Sequence, residues 1–103
     1  MFRGITPTIT ITLPESVDLD SANNVYVTFQ GKDKKITKTG NDIAVEDNVV
    51  SVYLDQSETL SFTPGAVFLQ VNWTYNEEGT IKRASSDIAS IIFQNGLEGG
   101  ILV

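Results

Sequence analysis

The groups in this chain that could pair a nucleophile with a base are Ser85, Ser86 and Lys82, because the sequence contains no His and no Cys. A serine hydroxyl needs an adjacent base, which here would have to be a lysine or a carboxylate. Side chains along a strand alternate between its two faces, so a three-residue spacing places Lys82 and Ser85 on opposite faces. We therefore expect no catalytic site and interpret the chain as non-enzymatic.

Two groups of carboxylates could support acid–base or metal chemistry. Glu77 and Glu78 fall in a predicted turn, where solvation does not favour the separate acid and base roles that catalysis requires. A calcium site would need oxygen ligands in an ordered loop, and the spacing of the other candidates matches no such loop. These candidates are Asp42, Glu46, Asp47 and Asp55. We expect solvated strand ends, no metal and no cofactor.

The net charge of the chain indicates which kinds of partner it can bind. The net charge is -6 and the pI is near 4.3, whereas nucleic-acid binding relies on clustered cations. The one basic cluster is predicted to be a solvated hairpin tip and comprises Lys32, Lys34, Lys35 and Lys38. No segment approaches the roughly 18 apolar residues that span a bilayer, and the N-terminus lacks a basic region followed by an apolar run. We expect no nucleic-acid partner, no membrane partner and no secretion signal.

Aromatic residues could form a sugar-binding surface, because sugars stack on exposed rings. Trp73 shares its parity with Val67, Leu69 and Val71, so we expect it to pack in the core. Tyr53 and Phe68 lie on the opposite parity of their strands, and both are predicted to be exposed interaction residues. Carbohydrate therefore stays a candidate partner, although the sequence groups no aromatic platform.

Alternation of polar and apolar residues predicts the elements that position these side chains. It begins with Thr-Ile-Thr-Ile-Thr-Leu at positions 8–13, within a first predicted strand from Ile5 to Leu13. Ile5 has the parity of Ile9 and Ile11, which we expect to face the core. Residues 15–24 are predicted to cross between sheets with Leu19 at the edge of the core. Further strands, separated by turn-forming residues, are predicted at 25–30, 34–39, 43–46 and 49–55.

The second half of the chain contains the one predicted helical turn and the longest strand. Asp55 and Glu58 stand at capping-box spacing, which predicts a helical turn near residues 56–61. The strand from Ala66 to Tyr75 should be central, and residues 80–93 should form a strand pair or one strand bent near 84–86. The whole pattern predicts an all-β, antiparallel β-sandwich of about seven strands over residues 1–94.

The C-terminal segment, residues 95–103, is apolar and interrupted by glycine. Its apolar residues are predicted interaction residues: Leu97, Ile101, Leu102 and Val103. One interpretation is an edge strand folded back on its own sheet. The other is a tail that docks onto a second copy by strand addition.

Several segments carry a family resemblance through their order and spacing: Arg3-Gly4-Ile5-Thr6-Pro7, Leu19-Asp20-Ser21-Ala22 before Val25-Tyr26-Val27, Asn48-Val49-Val50-Ser51-Val52 running into Leu54-Asp55-Gln56-Ser57-Glu58-Thr59, Pro64-Gly65 before the strand with Gln70, and Arg83-Ala84-Ser85-Ser86. Over most of its length the chain resembles the N-terminal immunoglobulin-like domain of phage baseplate upper proteins. It also resembles small tail-associated proteins of phages and prophages of Gram-positive bacteria.

The resemblance implies an immunoglobulin-like sandwich that acts as a structural component of a phage or prophage tail or baseplate. It implies protein–protein contacts with other virion proteins or with copies of itself. It also implies a location in the virion tail, after assembly in the bacterial cytoplasm. A carbohydrate- or cell-surface-binding module is the alternative, because one fold supports many functions.

Overall fold

The computed structural model describes residues 1–97 and 99–102, and about half of them lie in two antiparallel sheets of three and five strands. The elements in chain order are β1 (Thr8–Thr12), β2 (Asn24–Gln30), β3 (Lys35–Thr39), β4 (Ile43–Glu46), β5 (Val49–Tyr53), α1 (Gln56–Ser61), β6 (Gly65–Glu77), β7 (Thr80–Ser85) and β8 (Ala89–Phe93). Short 3-10 turns occupy Leu19–Ser21 and Gly40–Asp42. The predicted all-β architecture with one short helix is confirmed.

The sheet order places β1, β5 and β4 in the smaller sheet and β3, β2, β6 and β7 in the larger one, where β8 also pairs with β6. Strand β1 pairs directly with β5, and β2 pairs with β3 and β6. The two layers are sandwich-like.

The long strand β6 is central, as predicted, because it has partners along both edges. One edge pairs with β2, and the other pairs with β7 and then β8. Asn72 lies opposite Ser85 whereas Leu69 lies opposite Ala89, so the two residues between them in β6 face three residues, 86–88, of the partner. That extra residue is a β-bulge, which accounts for the predicted bend after Ser85.

The bulge changes which residues of the last strands face the core. Odd-numbered residues of β7 point away from the core, whereas in β8 the odd-numbered Phe93 is buried and the even-numbered Ile92 is exposed. Ser86 fastens the bulge, because its amide donates to the carbonyl of Val71 at 2.8 Å and its hydroxyl accepts from the amide of Val71 at 2.9 Å. A one-residue shift thus directs Phe93 into the core.

The core lies between the two sheets and is closed by α1 and the connecting segments. Phe62 follows α1 and stacks on Phe93 with ring centroids 5.4 Å apart. Leu19 is 3% exposed, which confirms its predicted position at the edge of the core. The other buried apolar residues are Leu13, Val25, Val27, Phe29, Val50, Val52, Leu54, Val67, Leu69 and Val71.

The N-terminal segment departs from the predicted first strand, because β1 begins only at Thr8. Gly4 has a positive φ of 87°, and Pro7 cannot donate a ladder hydrogen bond. Ile5 is therefore 41% exposed, so the prediction that it shares the core-facing row was wrong. Phe2 instead forms a parallel bridge with Gln94, beyond the end of β8.

Within the described part of the chain, no helix has the length and apolar character needed to cross a membrane.

Candidate functional site

The outward-facing side of the larger sheet carries the strongest candidate for a contact surface. Val67, Leu69 and Val71 of β6 point into the core, so the intervening Phe68, Gln70 and Asn72 point away from it. We call this surface the outer face. One half of the outer face is apolar and the other half is polar.

The apolar half centres on Phe68, which is 49% exposed and lies opposite Ser90 of β8. Ile92 is 57% exposed and lies diagonally beside Phe68, within reach of an aromatic side chain. Ile88 is 65% exposed, and a shallow pocket joins it to Phe68. We call Phe68, Ile88 and Ile92 the contact patch. Three large apolar side chains grouped on one sheet face are typical of an interaction surface.

The polar half contains a groove with a volume of about 250 Å³. We call it the polar groove; the residues that line it are Tyr26, Thr28, Thr37, Asn72, Trp73, Thr74 and Arg83. Asn72 is only 8% exposed, and its Oδ1 accepts from Nε and Nη2 of Arg83 at 3.3 and 3.0 Å and from the Ser85 hydroxyl. The side chain of Asn72 therefore fixes the guanidinium of Arg83 against the sheet.

A second opening lies at the seam between the sheets, with a volume of about 350 Å³. Ile11 and Leu13 line it from the side of β1, and Leu69 and Ala89 line it from the side of β6 and β8. The opening lies between the β1 and β8 edges, which belong to different sheets, and Leu13 and Leu69 are nevertheless buried.

The residues that could have formed a catalytic pair are engaged separately. Lys82 Nζ lies 3.8 Å from a carboxylate oxygen of Glu77, whereas the Ser85 hydroxyl donates to Asn72 on the outer face. The Ser86 hydroxyl holds the bulge. The predicted placement of Lys82 and Ser85 on opposite faces is confirmed, and the structure brings no base to either serine among the described residues.

The carboxylates of the sequence-based calcium candidates lie in separate places. Among residues 1–97 and 99–102, no three acidic side chains come together as a metal-binding group. Asp55 caps α1: its carboxylate accepts from the Glu58 amide at 2.8 Å, while Glu58 Oε1 accepts from the Asp55 amide at 3.0 Å. The predicted capping box is confirmed. Glu77 and Glu78 lie at the β6–β7 hairpin, where Glu78 and Gly79 have positive φ.

The pKa of Asp55 is held below its ordinary value. The largest cause is the hydrogen bond from the Glu58 amide, which stabilises the charged carboxylate against a smaller opposing effect of desolvation. The Ser57 hydroxyl and the positive charge of Lys38 act in the same direction as the Glu58 amide. The deprotonated, charged form of Asp55 therefore works as a structural cap.

The prediction that the whole basic cluster is solvated was wrong for Lys38. Its Nζ lies 2.6 Å from Oε2 of Glu58, and the two side chains are only 15% and 21% exposed. Lys38 belongs to the inward parity of β3, so it ties that strand to α1. Lys32, Lys34 and Lys35 are exposed, as predicted.

The predicted aromatic residues have separate positions. Tyr53 is 52% exposed at the end of β5, on the outside of the smaller sheet, and Phe68 lies on the outside of the larger sheet. Both are exposed as predicted, but they do not share a surface. Trp73 packs against the core, which confirms its predicted role.

The tail has exposed apolar side chains but no strand in its described residues, 95–97 and 99–102. Leu97, Ile101 and Leu102 are all exposed, at 110%, 59% and 62%. The Gln56 amide group donates to the Leu102 carbonyl at 2.6 Å and accepts from the Leu102 amide at 2.7 Å. The edge-strand interpretation was wrong for these residues, and Val103 lies outside the described residues.

Sequence reasoning missed Ile88, Ile92, Asn72 and Arg83. Ile88 and Ile92 follow the bulge, so their parity could not be read from the preceding strand. Asn72 and Arg83 meet because β6 and β7 pair in one particular register. The outward parity of Asn72 beside Phe68 was the one available signal.

Comparison with protein-family models and with curated sequences assigns no family to this chain. The chain matches no protein-family model, and no curated protein sequence matches it. The class that the structure defines is a small β-rich domain of two antiparallel sheets.

Proposed function

We propose that this chain is a structural component of a phage or prophage tail or baseplate, acting through protein–protein contacts of the contact patch. The observation that carries the proposal is the group of Phe68, Ile88 and Ile92, each about half exposed or more, on one face of the larger sheet. Soluble monomers seldom leave grouped apolar side chains in water unless a partner covers them. Self-association is the simplest form of this contact.

The tail supports the same proposal from a different part of the chain. Leu97, Ile101 and Leu102 are exposed, and the described hydrogen bonds of Leu102 all go to a single side chain, Gln56. A segment held by exposed hydrogen bonds can exchange an intramolecular partner for an intermolecular one at small cost. The tail is thus a second contact element beside the contact patch.

The virion assignment and the immunoglobulin-like affiliation rest on the sequence resemblance and belong to this proposal. Two antiparallel layers and an N-terminal segment that bridges to the last strand are compatible with that affiliation.

The proposal can be tested by measuring whether the chain is incorporated into tail particles. This test applies whether the partner is another virion protein or a second copy of the chain. Tail particles purified from a lysogen should contain the wild-type chain, as read by peptide mass spectrometry. The double variant Phe68→Ser with Ile92→Ser should be lost from the particles and recovered in the soluble fraction. Ile81→Ser is the matched control, since Ile81 is 70% exposed at the far end of the outer face. Absence of the wild-type chain from the particles, or equal incorporation of the double variant, would overturn the proposal.

A carbohydrate- or cell-surface-binding module is the second candidate function. The polar groove of about 250 Å³ favours it, because hydroxyl, amide and guanidinium groups converge there on an exposed sheet face.

A further inference from the structure

The polar groove presents a cation in a fixed orientation. Arg83 uses Nε and Nη2 to donate to one oxygen of Asn72, and that amide is 8% exposed. In contrast to a carboxylate, the amide oxygen is neutral and does not cancel the charge of the guanidinium. Nη1 of Arg83 makes no hydrogen bond to any described residue. A planar guanidinium held in this way can present its remaining N–H groups to an anion.

The charges near Arg83 also favour the binding of an anion. The chain has a net charge of -6, yet no residue that lines the polar groove is acidic. Arg83 forms no ion pair with any residue that the structure describes. Its strand neighbour Lys82, by contrast, lies 3.8 Å from the carboxylate of Glu77. The groove is therefore a local site of positive charge on an acidic protein.

The other side of the groove is lined by hydroxyl groups. Thr28 and Thr37 lie opposite each other on β2 and β3, with their hydroxyl oxygens 3.4 Å apart, and Tyr26 lies opposite Asn72. A hydroxyl both donates and accepts, which matches the hydroxyls of a sugar. The volume of about 250 Å³ lies below the range of about 300–1,000 Å³ that is usual for drug-sized ligands. A single sugar ring fits this size better than an oligosaccharide.

We propose that the polar groove binds one sugar residue that bears an anionic group, with Arg83 on the anion and Tyr26, Thr28 and Thr37 on the sugar hydroxyls. Asn72 is a positioning residue, since it orients Arg83. The inference rests on the second candidate function and is independent of contacts through the contact patch. A sugar carboxylate and a sugar phosphate share the recognised chemistry.

NMR titration of the full chain tests the proposal with matched monosaccharides. The probes are glucuronate, glucose 6-phosphate and methyl glucoside, which supply a carboxylate, a phosphate and no charge. The proposal predicts saturable shifts of the Asn72 and Arg83 amides with at least one anionic probe, and affinity for methyl glucoside weaker by roughly tenfold or more. The stronger anionic probe identifies the source of the anion. No saturable shift with either anionic probe, or equal affinity for methyl glucoside, would overturn the proposal.

Variants of adjacent residues supply the control. Arg83→Gln should weaken binding of the anionic probe by roughly tenfold or more. Lys82→Gln removes the same charge from the same strand but on the other face, and it should leave binding unchanged. Arg83→Lys keeps the charge without the planar fork and should restore only part of the affinity. Equal losses in Arg83→Gln and Lys82→Gln would show a general charge effect and reject the site. Solution mass measured on the same samples reports separately on the contact patch.

Discussion

The side-chain amide of Gln56 forms two hydrogen bonds with the backbone of Leu102, donating to its carbonyl and accepting from its amide. Gln56 is the first residue of α1, so the tail lies against the start of the helix. Leu97, Ile101 and Leu102 of this segment nevertheless keep their apolar side chains exposed. The tail is therefore attached to the sandwich by its backbone and leaves its apolar side chains accessible.

Gln56→Ala should release the tail with little loss of global stability. Exposed neutral hydrogen bonds contribute about 1 kcal/mol or less each to the free energy of unfolding. Hydrogen exchange at the Leu102 amide should become faster in this variant. Ser61→Ala on the same helix is the control, because its hydroxyl donates to Glu58 and not to the tail. Unchanged exchange at Leu102 in Gln56→Ala would contradict the attachment.

Thr59→Val should destabilise the protein through the N-terminal segment. The Thr59 hydroxyl is fully buried; it accepts from the Gly4 amide at 3.0 Å and donates to the Ile5 carbonyl at 2.8 Å. Valine has nearly the same shape but leaves both backbone groups without this partner, at a cost of about 1–3 kcal/mol. Denaturant unfolding measures the loss. The control Thr10→Val, on the exposed side of β1, should cost much less, and equal losses would reject this explanation.

Gly31→Ala should destabilise the core because there is no room for a methyl group. A Cβ at this position would lie 2.8 Å from a ring carbon of Phe62, and Phe62 is fully buried and stacked on Phe93. Overpacking of this kind costs about 1–3 kcal/mol. Thermal unfolding should show a lower midpoint for Gly31→Ala than for Gly99→Ala, where a Cβ would have no neighbour within 4 Å. Equal midpoints would mean that the Phe62 ring moves aside without lowering the stability of the fold, and would contradict this explanation.

Asp55 should contribute stability that depends on pH. Its pKa is lowered in the folded state, so the stabilisation is fully present above the unfolded value of about 3.9 and is lost as the pH falls through the folded value. Wild type should exceed Asp55→Asn in thermal stability at neutral pH, and the difference should shrink as the solution is acidified below about pH 4. Thermal unfolding across this pH range measures it. A difference that stays constant with pH would show that charge on Asp55 is unimportant to the cap.

Local signals in the sequence were sufficient to predict most of the elements but not their arrangement. The capping box of Asp55 and Glu58 acts within one turn, so residue spacing alone predicted α1. The parity of Val67, Leu69 and Val71 placed Trp73 against the core for a similar reason, since alternation is a property of one strand. Both signals depend only on residues that are close together in the sequence.

Features that depend on distant pairing could not be predicted in this way. Lys38 was interpreted as solvated, because its partner Glu58 is reached only once β3 packs beside α1. Ile92 became part of the contact patch because the bulge shifts the parity of β8 by one residue. The groove depends on the register that places Arg83 diagonally across from Asn72. The first depends on the packing of a strand beside a helix and the other two on strand register, and no short segment of sequence specifies either.

The most direct test of a contact role is the solution mass of the purified chain across micromolar to millimolar concentrations, measured by sedimentation equilibrium. The account predicts that the mass of the wild-type chain and of Ile81→Ser rises with concentration, while the double variant Phe68→Ser with Ile92→Ser stays monomeric. A wild-type chain that remains monomeric throughout, or a double variant that associates as strongly as wild type, would contradict self-association through the contact patch.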